Sequence, residues 1–417
     1  MTNHLIERFA IADAQIDKVL QVALSKGGHF AELYFQDSSS QGVSLEDRLV
    51  NRVGSSTDFG VGIRVVVGDK VGYAFTEQVD LKRLVDTAKV AATIAQSDVL
   101  RHVMPFRMET SACWYPAVEK HANLDVLVGL LKRLEAQIFD FDKRVTKVQL
   151  SVNTQHAYVA VVNNIGTCAE DFQPMVVLSA SVVVEHGGRK EQNRHNIAAR
   201  AGFDWLTDAR LADFVAKTVD GATVLLGAIQ PEGGEMEVVL GPGGSGILLH
   251  EAIGHGLEAD FNRKGLSIFS EKIGKRIASP EITIVDDGTI PGLRGSIHFD
   301  DEGVPGQRTV LVDKGILTSY IHDRISADYY GLPPTGNGRR QSFRDQPMPR
   351  MRNTIMMGGP HDPSAIIASV KKGIYADQFA NGQVNIGAGD FTFYVKSGFQ
   401  IENGKLTQPI KDVNIIG

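Results

Sequence analysis

The chain has 417 residues, 43% of them hydrophobic and 22% charged, with a formal net charge of −6. At roughly 100–200 residues per domain this predicts about two to three domains with a sizeable core, and it excludes a disordered chain. The acidic balance excludes a broad nucleic-acid-binding surface, which needs an excess of Lys and Arg to displace counterions from phosphates.

The first 24 residues mix Glu7, Asp13, Asp17 and Lys18 into their apolar positions, unlike a signal peptide, and no run of about 18 apolar residues follows anywhere. The two cysteines, Cys113 and Cys168, make no disulfide framework and no CxxC site. A soluble chain in the reducing cytoplasm, with no membrane partner, is expected.

Residues 13–25 carry Ile16, Val19, Leu20 and Val22 at helical spacing. Residues 31–36 and 60–67 are β-rich. Asp80 is a plausible N-cap for a helix to about residue 95, with Leu81, Leu84, Val85 and Ala88 on one face. Asp125 is the cap expected for a second helix carrying Leu127, Leu130, Leu131, Leu134 and Ile138. Strands are predicted over 145–152, 157–162 and 175–185, and a third helix over about 204–226. Pro231, Gly233 and Gly234 then mark a boundary near residue 230.

Beyond it the pattern is mostly β. A strand is expected at 236–240, and Ile282 and Ile284 alternate up to a turn at Asp286. Residues 309–312 and 317–321 flank the hairpin turn Asp313-Lys314-Gly315. Phe391, Phe393 and Val395 alternate, and Asn403-Gly404 signals another hairpin. The one strong helix expected in this half contains two histidines. The fold class is therefore α+β: an N-terminal mixed α/β domain over 1–230, then a β-rich C-terminal domain over 231–417 carrying one metal-binding helix. The basic run 338–344, with Arg350 and Arg352, is expected to be a solvated or substrate-facing loop rather than a nucleic-acid patch.

The chemistry concentrates at His250-Glu251-Ala252-Ile253-Gly254-His255. Two neutral imidazoles on neighbouring helical turns can ligate a divalent ion, and an adjacent Glu can take a proton from activated water. The familiar spacing for this is HExxH. Here the gap is five, which on an ideal helix turns the second side chain by about 140° rather than about 40°. Gly254 and Gly256 flank His255 and permit a kink, a wide turn or a helix end, so distortion is expected there. The preceding Gly241-Pro242-Gly243-Gly244-Ser245-Gly246 lacks the Lys-Ser/Thr of a P-loop, so a tight turn with Ser245 as N-cap is predicted rather than a phosphate cradle.

The stretch 250–261 resembles the HExxxH signature of the TldD/PmbA family, known as metallopeptidases and historically as modulators of DNA gyrase. The resemblance extends to Asp58-Phe59-Gly60-Val61-Gly62-Ile63-Arg64-Val65, Asp300-Asp301-Glu302-Gly303, Gly336-Asn337-Gly338-Arg339-Arg340, Pro349-Arg350-Met351-Arg352-Asn353 and Gly389-Asp390-Phe391, and so covers nearly the whole chain. The PmbA (TldE) branch lacks HExxxH, which places this sequence on the TldD-like side. The resemblance implies that His250 and His255 ligate zinc (Zn2+) and that Glu251 is the general base. It also implies a homodimer or a heterodimer with a TldE/PmbA-like subunit, and short or unfolded peptide substrates.

A zinc site needs three protein ligands and a water. The family's third is a Cys near its C-terminus, and none is found here, where the chain ends at Val413-Asn414-Ile415-Ile416-Gly417. A chain truncated at its end is expected; the alternatives are substitution by Glu258 or by the cluster of His298, Asp300, Asp301 and Glu302. Two functions remain open: a zinc-dependent peptidase, or a catalytically incomplete peptide-binding or partner subunit of the same fold. No DNA binding is expected.

Overall fold

In the computed structural model, which describes residues 3–95 and 102–417, one large sheet organises the N-terminal half. Its strands are β1 (Phe30–Glu46), β2 (Leu49–Val67), β3 (Lys70–Thr76), β4 (Arg107–Met108), β5 (Val145–Asn163), β6 (Thr167–His186) and β7 (Arg189–Ala199). They run in the order β3-β2-β1-β5-β6-β4, with β7 also paired to β6. Residues 1 and 2 of the N-terminal stretch compared above with a signal peptide lie outside the described residues.

The strands are longer than alternation predicts. The segments at 31–36 and 60–67 are one hairpin of 17- and 19-residue strands, turned at Asp47-Arg48 with both residues at positive φ. The segments at 145–152 and 157–162 are the single strand β5. Polar residues bridge the gaps: Thr154 and His156 of β5 are buried, and His121 bonds Thr154 while His156 bonds the Val118 carbonyl.

Because side chains alternate along a strand, β1 serves two neighbours. Ala31, Leu33, Phe35, Val43 and Leu45 face the helices of this half. Helices α1 (Asn3–Phe9), α2 (Asp13–Ala23) and α3 (Leu81–Ala91) cover one end of that face, packing Leu5, Ile16, Leu20 and Leu84 on Leu33, Phe35 and Ile63. Helices α4 (Leu124–Phe141) and α5 (Asp208–Thr223) cover the other end through Leu127, Leu131, Ile138, Phe214 and Val219. Asp80 caps α3 by accepting from the Arg83 N–H at 3.0 Å. The cap of α4 is Asn123, not Asp125: its side chain accepts the Asp125 N–H at 2.9 Å.

The C-terminal half opens with β8 (Glu237–Leu240). Strands β9 (Ile284–Asp287), β10 (Arg308–Asp313), β11 (Ile316–Leu317) and β14 (Thr354–Met356) form a sheet ordered β11-β10-β9-β14. Strands β12 (Gly338–Arg339) and β13 (Met348–Pro349) make a short ribbon. Strands β15 (Lys372–Val384), β16 (Phe391–Glu402), β17 (Lys405–Ile410) and β18 (Val413–Ile416) join β8 in a third sheet. Both predicted hairpin turns are present, with positive φ at Lys314-Gly315 and Asn403-Gly404. Three expectations fail. The strand expected over 317–321 is only the two-residue β11, which ends at Leu317. Asp286 is not a turn but a buried strand residue, whose carboxylate accepts from Asn337, Thr354 and the Arg352 N–H. No long helix holds the histidines: α6 (Gly246–Leu249) is four residues, and α7 (Ala259–Arg263), α8 (Arg324–Tyr330) and α9 (Pro363–Ser369) are also short.

The other face of the large sheet meets this half through charge. Glu32 and Arg64 are register partners on β1 and β2. Arg64 Nε lies 2.8 Å from Glu32, its Nη2 is 2.5 Å from Glu302, and Arg340 pairs with the same Glu32 oxygen. All four side chains are fully buried. Glu302 also accepts the Arg324 N–H at 2.7 Å, and Arg340 lies 4.6 Å over the Tyr34 ring. Asp323, which caps α8 through the Ser326 N–H, lies close by; burial and the Glu302 charge push its carboxyl up to about 6.

Two predictions follow from this junction. Arg64→Met leaves Glu32 with Arg340 alone and Glu302 with no ion-pair partner, only the Arg324 N–H, and should cost about 3–5 kcal/mol of stability, the usual result of removing one partner of a buried pair, measured by denaturant unfolding. For Asp323 the folded pKa lies above the unfolded value, so its contribution is present below about pH 4 and lost as pH rises through about 6. Asp323→Asn keeps the cap and removes the charge. It should raise the melting temperature at pH 7.5 by an amount worth about 1–3 kcal/mol and leave it unchanged at pH 4. An equal effect at both pH values would contradict the charge argument.

Candidate metal centre

Strand β8 enters the site through a tight turn whose glycines let the backbone approach closely: Gly243 has φ +84, and a Cβ at Gly244 would collide with the Asp377 carbonyl. Ser245 does not cap the following helix; its hydroxyl bonds back to the Gly241 carbonyl. After α6 the chain makes one π-helical turn, His250–Gly254, in which the His255 N–H bonds the His250 carbonyl. A 3-10 turn over His255–Leu257 closes it, and Glu258 leaves in an extended conformation.

The π turn answers the spacing problem. A hydrogen bond from i+5 to i absorbs the extra residue that a regular helix would rotate away. The His250 and His255 rings lie 4.7 Å apart, edge to face at 78°. One ligand atom each from His250, Glu251 and His255 all fall within 4.8 Å of one another. The distortion expected from Gly254 and Gly256 is present, but not through unusual dihedrals, since Gly254 is right-handed helical. These glycines provide room. A Cβ at Gly254 would collide with Met351 Sδ, and one at Gly256 would stand 2.8 Å from the Phe269 ring.

Glu258 takes a different position from the substitute ligand considered above. Its side chain is fully buried, and its Oε2 lies 3.1 Å from His255 Nδ1 and 3.0 Å from Arg350 Nη1. Such a carboxylate favours the tautomer with the proton on Nδ1 and leaves Nε2 with its lone pair free. Burial pushes Glu258 up, while His255 and Arg350 oppose that; the same hydrogen bond holds His255 up. Burial and the His255 charge hold His250 down, which favours the neutral imidazole.

The other candidates lie elsewhere. Cys113 is exposed and donates to the Tyr115 carbonyl, and Cys168 sits in the core under α2, its thiol pushed up to about 12 by burial. His298 bonds Asp171 at 2.9 Å and stacks on Tyr115 at 4.0 Å. Asp300, Asp301 and Glu302 form neither a solvated turn nor ligands: Asp300 accepts the Glu302, Val304 and Gly338 N–H groups, and Asp301 accepts that of Arg340. The basic run is not a loop of free cations. Arg340 is buried between the halves, Arg344 pairs with Asp58 and Glu77, and Arg352 donates to the Gly336 and Gly338 carbonyls.

Three models of PmbA/TldA metallopeptidase domains match this chain in order: domain 1 over 31–95, the central domain over 119–226 and the C-terminal domain over 233–417. The chain belongs to the PmbA/TldD family. Among its relatives is a metalloprotease TldD homolog of Haemophilus influenzae, 39% identical over all of this chain and 88% of its own length. A protein of Saccharolobus solfataricus, named a zinc metalloprotease TldD homolog, is 27% identical over 96% of this chain and 88% of its own. The fold matches the crystal structure of TldE from Thermococcus kodakarensis with a TM-score of 0.79 at 19% identity, over 97% of this chain and 91% of that one. It also matches a Thermotoga maritima protein from the modulator-of-DNA-gyrase group with a TM-score of 0.81 at 19% identity, over the same shares. The α+β class read from the sequence is the family's fold.

The contacts also sort the motif segments by what they touch. Of those outside the histidine turn, Arg64, Glu302 and Arg340 build the buried junction, and Arg350 reaches Glu258. The spacing of three residues already made Glu258 a neighbour of His255; what it did not show is that Glu258 meets the imidazole at Nδ1 rather than joining the group of His250, Glu251 and His255.

Gly256→Ala tests the packing requirement. The added methyl meets an aromatic ring that is itself packed in the core, so a loss of about 1–3 kcal/mol is expected, with metal-independent unfolding as the measurement. A neutral result would show that Phe269 gives way.

Proposed function

We propose that this chain is a zinc-dependent peptidase hydrolysing small or unfolded peptides, with His250 and His255 as metal ligands and Glu251 as general base. In this reading residues 1–230 form the supporting domain and residues 231–417 the catalytic one. The observation that carries it is the π turn, which converges two imidazoles and a carboxylate while a buried carboxylate orients one of the imidazoles. That donor set fits zinc chemically: neutral ring nitrogens, an adjacent carboxylate and a carboxylate–histidine contact behind. A relative's name, zinc metalloprotease, supports the choice of ion.

Bound zinc supplies a Lewis acid that polarises a scissile carbonyl and lowers the pKa of water towards neutrality. Glu251 takes the proton of the attacking water at its carboxylate and delivers it to the leaving amine. Glu258 holds the His255 proton at Nδ1, and Arg350 keeps Glu258 in place.

A second reading, a catalytically incomplete peptide-binding or partner subunit, is favoured by one observation. Among the described residues no further His or Cys joins the three converging groups, whereas zinc sites commonly have three protein ligands besides water. In either reading the partner is a second copy or a TldE-like subunit; the likeness to a TldE structure supports such an assembly. The two free cysteines support a reducing, cytoplasmic setting. Among the described residues no helix is long and apolar enough to cross a membrane.

Elemental analysis of protein purified without chelators separates the readings. Near-stoichiometric zinc, lost in His250→Ala, is expected. Glu251→Gln should retain zinc and lose peptide cleavage by about 100-fold or more, the range usual for a general base. Metal-free wild type at neutral pH overturns the peptidase assignment, and retained turnover in Glu251→Gln removes that residue from the mechanism.

A further inference from the structure

The histidine turn ends where the chain leaves the helix after Leu257, and a helix end leaves backbone carbonyls without intrahelical partners. Here the carbonyls from His255 to Glu258 all find donors. That of His255 accepts the Glu258 N–H at 3.2 Å, and that of Leu257 accepts the Ile321 N–H at 2.9 Å. The carbonyls on either side of Leu257, those of Gly256 and Glu258, share one donor group. It is the side-chain amide of Asn262, whose Nδ2 gives one N–H to each, both at 2.9 Å. Asn262 belongs to α7 and is buried, only 4% exposed. Because carbonyls only accept, the two contacts also fix which end of the amide points at the turn.

We propose that Asn262 is a positioning residue of the metal centre: by holding the Gly256 and Glu258 carbonyls it sets where the helix ends, and so places the Glu258 carboxylate on His255 Nδ1. The inference rests on the peptidase reading only for what His255 then does. Glu258 has φ −68 and ψ 125, so its backbone has turned away from the helix. Its Oε2 nevertheless comes back to the imidazole three residues earlier, at 3.1 Å. A side chain that folds back in this way needs its own backbone held, and Asn262 holds the peptide groups flanking the Leu257–Glu258 bond. Arg350 holds the carboxylate from the other side at 3.0 Å. Glu258 is thereby anchored at both ends, at its backbone by Asn262 and at its head by Arg350.

Ser267 marks the contrast with a residue that only stabilises the turn. Its hydroxyl donates to the same Gly256 carbonyl at 2.6 Å and accepts the Phe269 N–H at 3.1 Å, and it does not touch Glu258. It ties the turn to the loop that follows. Asn262 reaches Glu258 as well, and does so at a cost. Its Oδ1 is buried and meets no hydrogen-bond donor among the described residues, a penalty that the two N–H donors have to outweigh.

Two measurements on the full chain test this. The first uses metal-free protein, with diethyl pyrocarbonate as the probe of His255 Nε2 and peptide mass spectrometry as the readout. A carboxylate at Nδ1 makes the other ring nitrogen more basic, so Glu258→Gln should slow modification of His255. Asn262→Asp, which keeps the shape and loses the donors, should slow it towards the same rate. The second is Co2+ affinity by competition with a chelator, with the visible absorption bands of the bound ion recording its ligand geometry. Asn262→Asp should weaken Co2+ binding about 10–100-fold, the range usual for groups behind a metal ligand, and shift those bands. Asn262→Ser keeps a hydroxyl that can donate to the carbonyl four residues back, that of Glu258, and should restore part of both readouts. Asn262→Ala should restore neither, and stands in should Asn262→Asp fail to fold. Ser267→Ala should lower the melting temperature and leave both readouts at the wild-type level. The double variant Asn262→Asp with Glu258→Gln should be no worse than Glu258→Gln alone, because the two act in series. Additive losses in the double variant, equal losses in Ser267→Ala, or wild-type readouts in Asn262→Asp and Asn262→Ala overturn the proposal. A wild-type chain that binds no Co2+ removes the metal-ligand reading of His255, while the metal-free comparison still decides the role of Asn262.

Discussion

The structure depends on four charges that have no water. Glu32, Arg64, Glu302 and Arg340 are sealed between the large sheet and the C-terminal half, and burying ions costs several kcal/mol each unless every one is answered. Here the answers come from distant parts of the chain. Glu32 and Arg64 are cross-strand partners, Glu302 enters from the loop after β9, and Arg340 from the β12–β13 ribbon. The ion set is satisfied only when the two halves dock in one way. The same ribbon continues to Arg350, which braces Glu258 behind His255. A junction of charges and the metal centre are thereby linked through about ten residues of chain, without the junction touching the site.

The π turn is the second constraint. Five residues between ligands is a poor fit to an α-helix and a good fit to a turn closed by an i+5 hydrogen bond. The wide turn brings its inner backbone against its surroundings, which is why side chains are absent at residues 254 and 256 where Met351 and Phe269 press in. Met351 lies between Arg350 and Arg352, so the segment that braces His255 also packs against the turn that presents it.

Much of this was legible in the sequence, and the reasons for the rest are physical. The amphipathic helices at residues 13, 81, 124 and 208 follow from apolar spacing, because each buries one stripe on the sheet. The hairpins at residues 314 and 403 follow from turn residues that tolerate positive φ. The histidine turn was visible as a candidate, and so was the need for it to be distorted. Strand lengths were not legible, because β1 and β5 cross polar stretches such as Asp37–Gln41 and Asn153–His156, where alternation between apolar and polar fails. Nor were the roles of Asp286, Asp300, Asp301 and Glu302: a run of carboxylates looks solvated until the backbone N–H groups that meet them are known.

The alternation along β1 has one more consequence. In most sheets a strand that slips by one residue exposes its apolar side and gains nothing on the other. In β1 the odd positions are keyed to a hydrocarbon core and the even positions, Glu32, Tyr34 and Gln36, to an ionic one. A slip of one would put carboxylate into the hydrocarbon and leucine among guanidiniums at once, so the register is checked twice, by two unlike chemistries. A single-residue insertion or deletion early in this strand is therefore a lesion of the entire molecule, while the same change beyond the Glu46–Leu49 turn, where β2 is exposed over its first nine residues, meets no such double test.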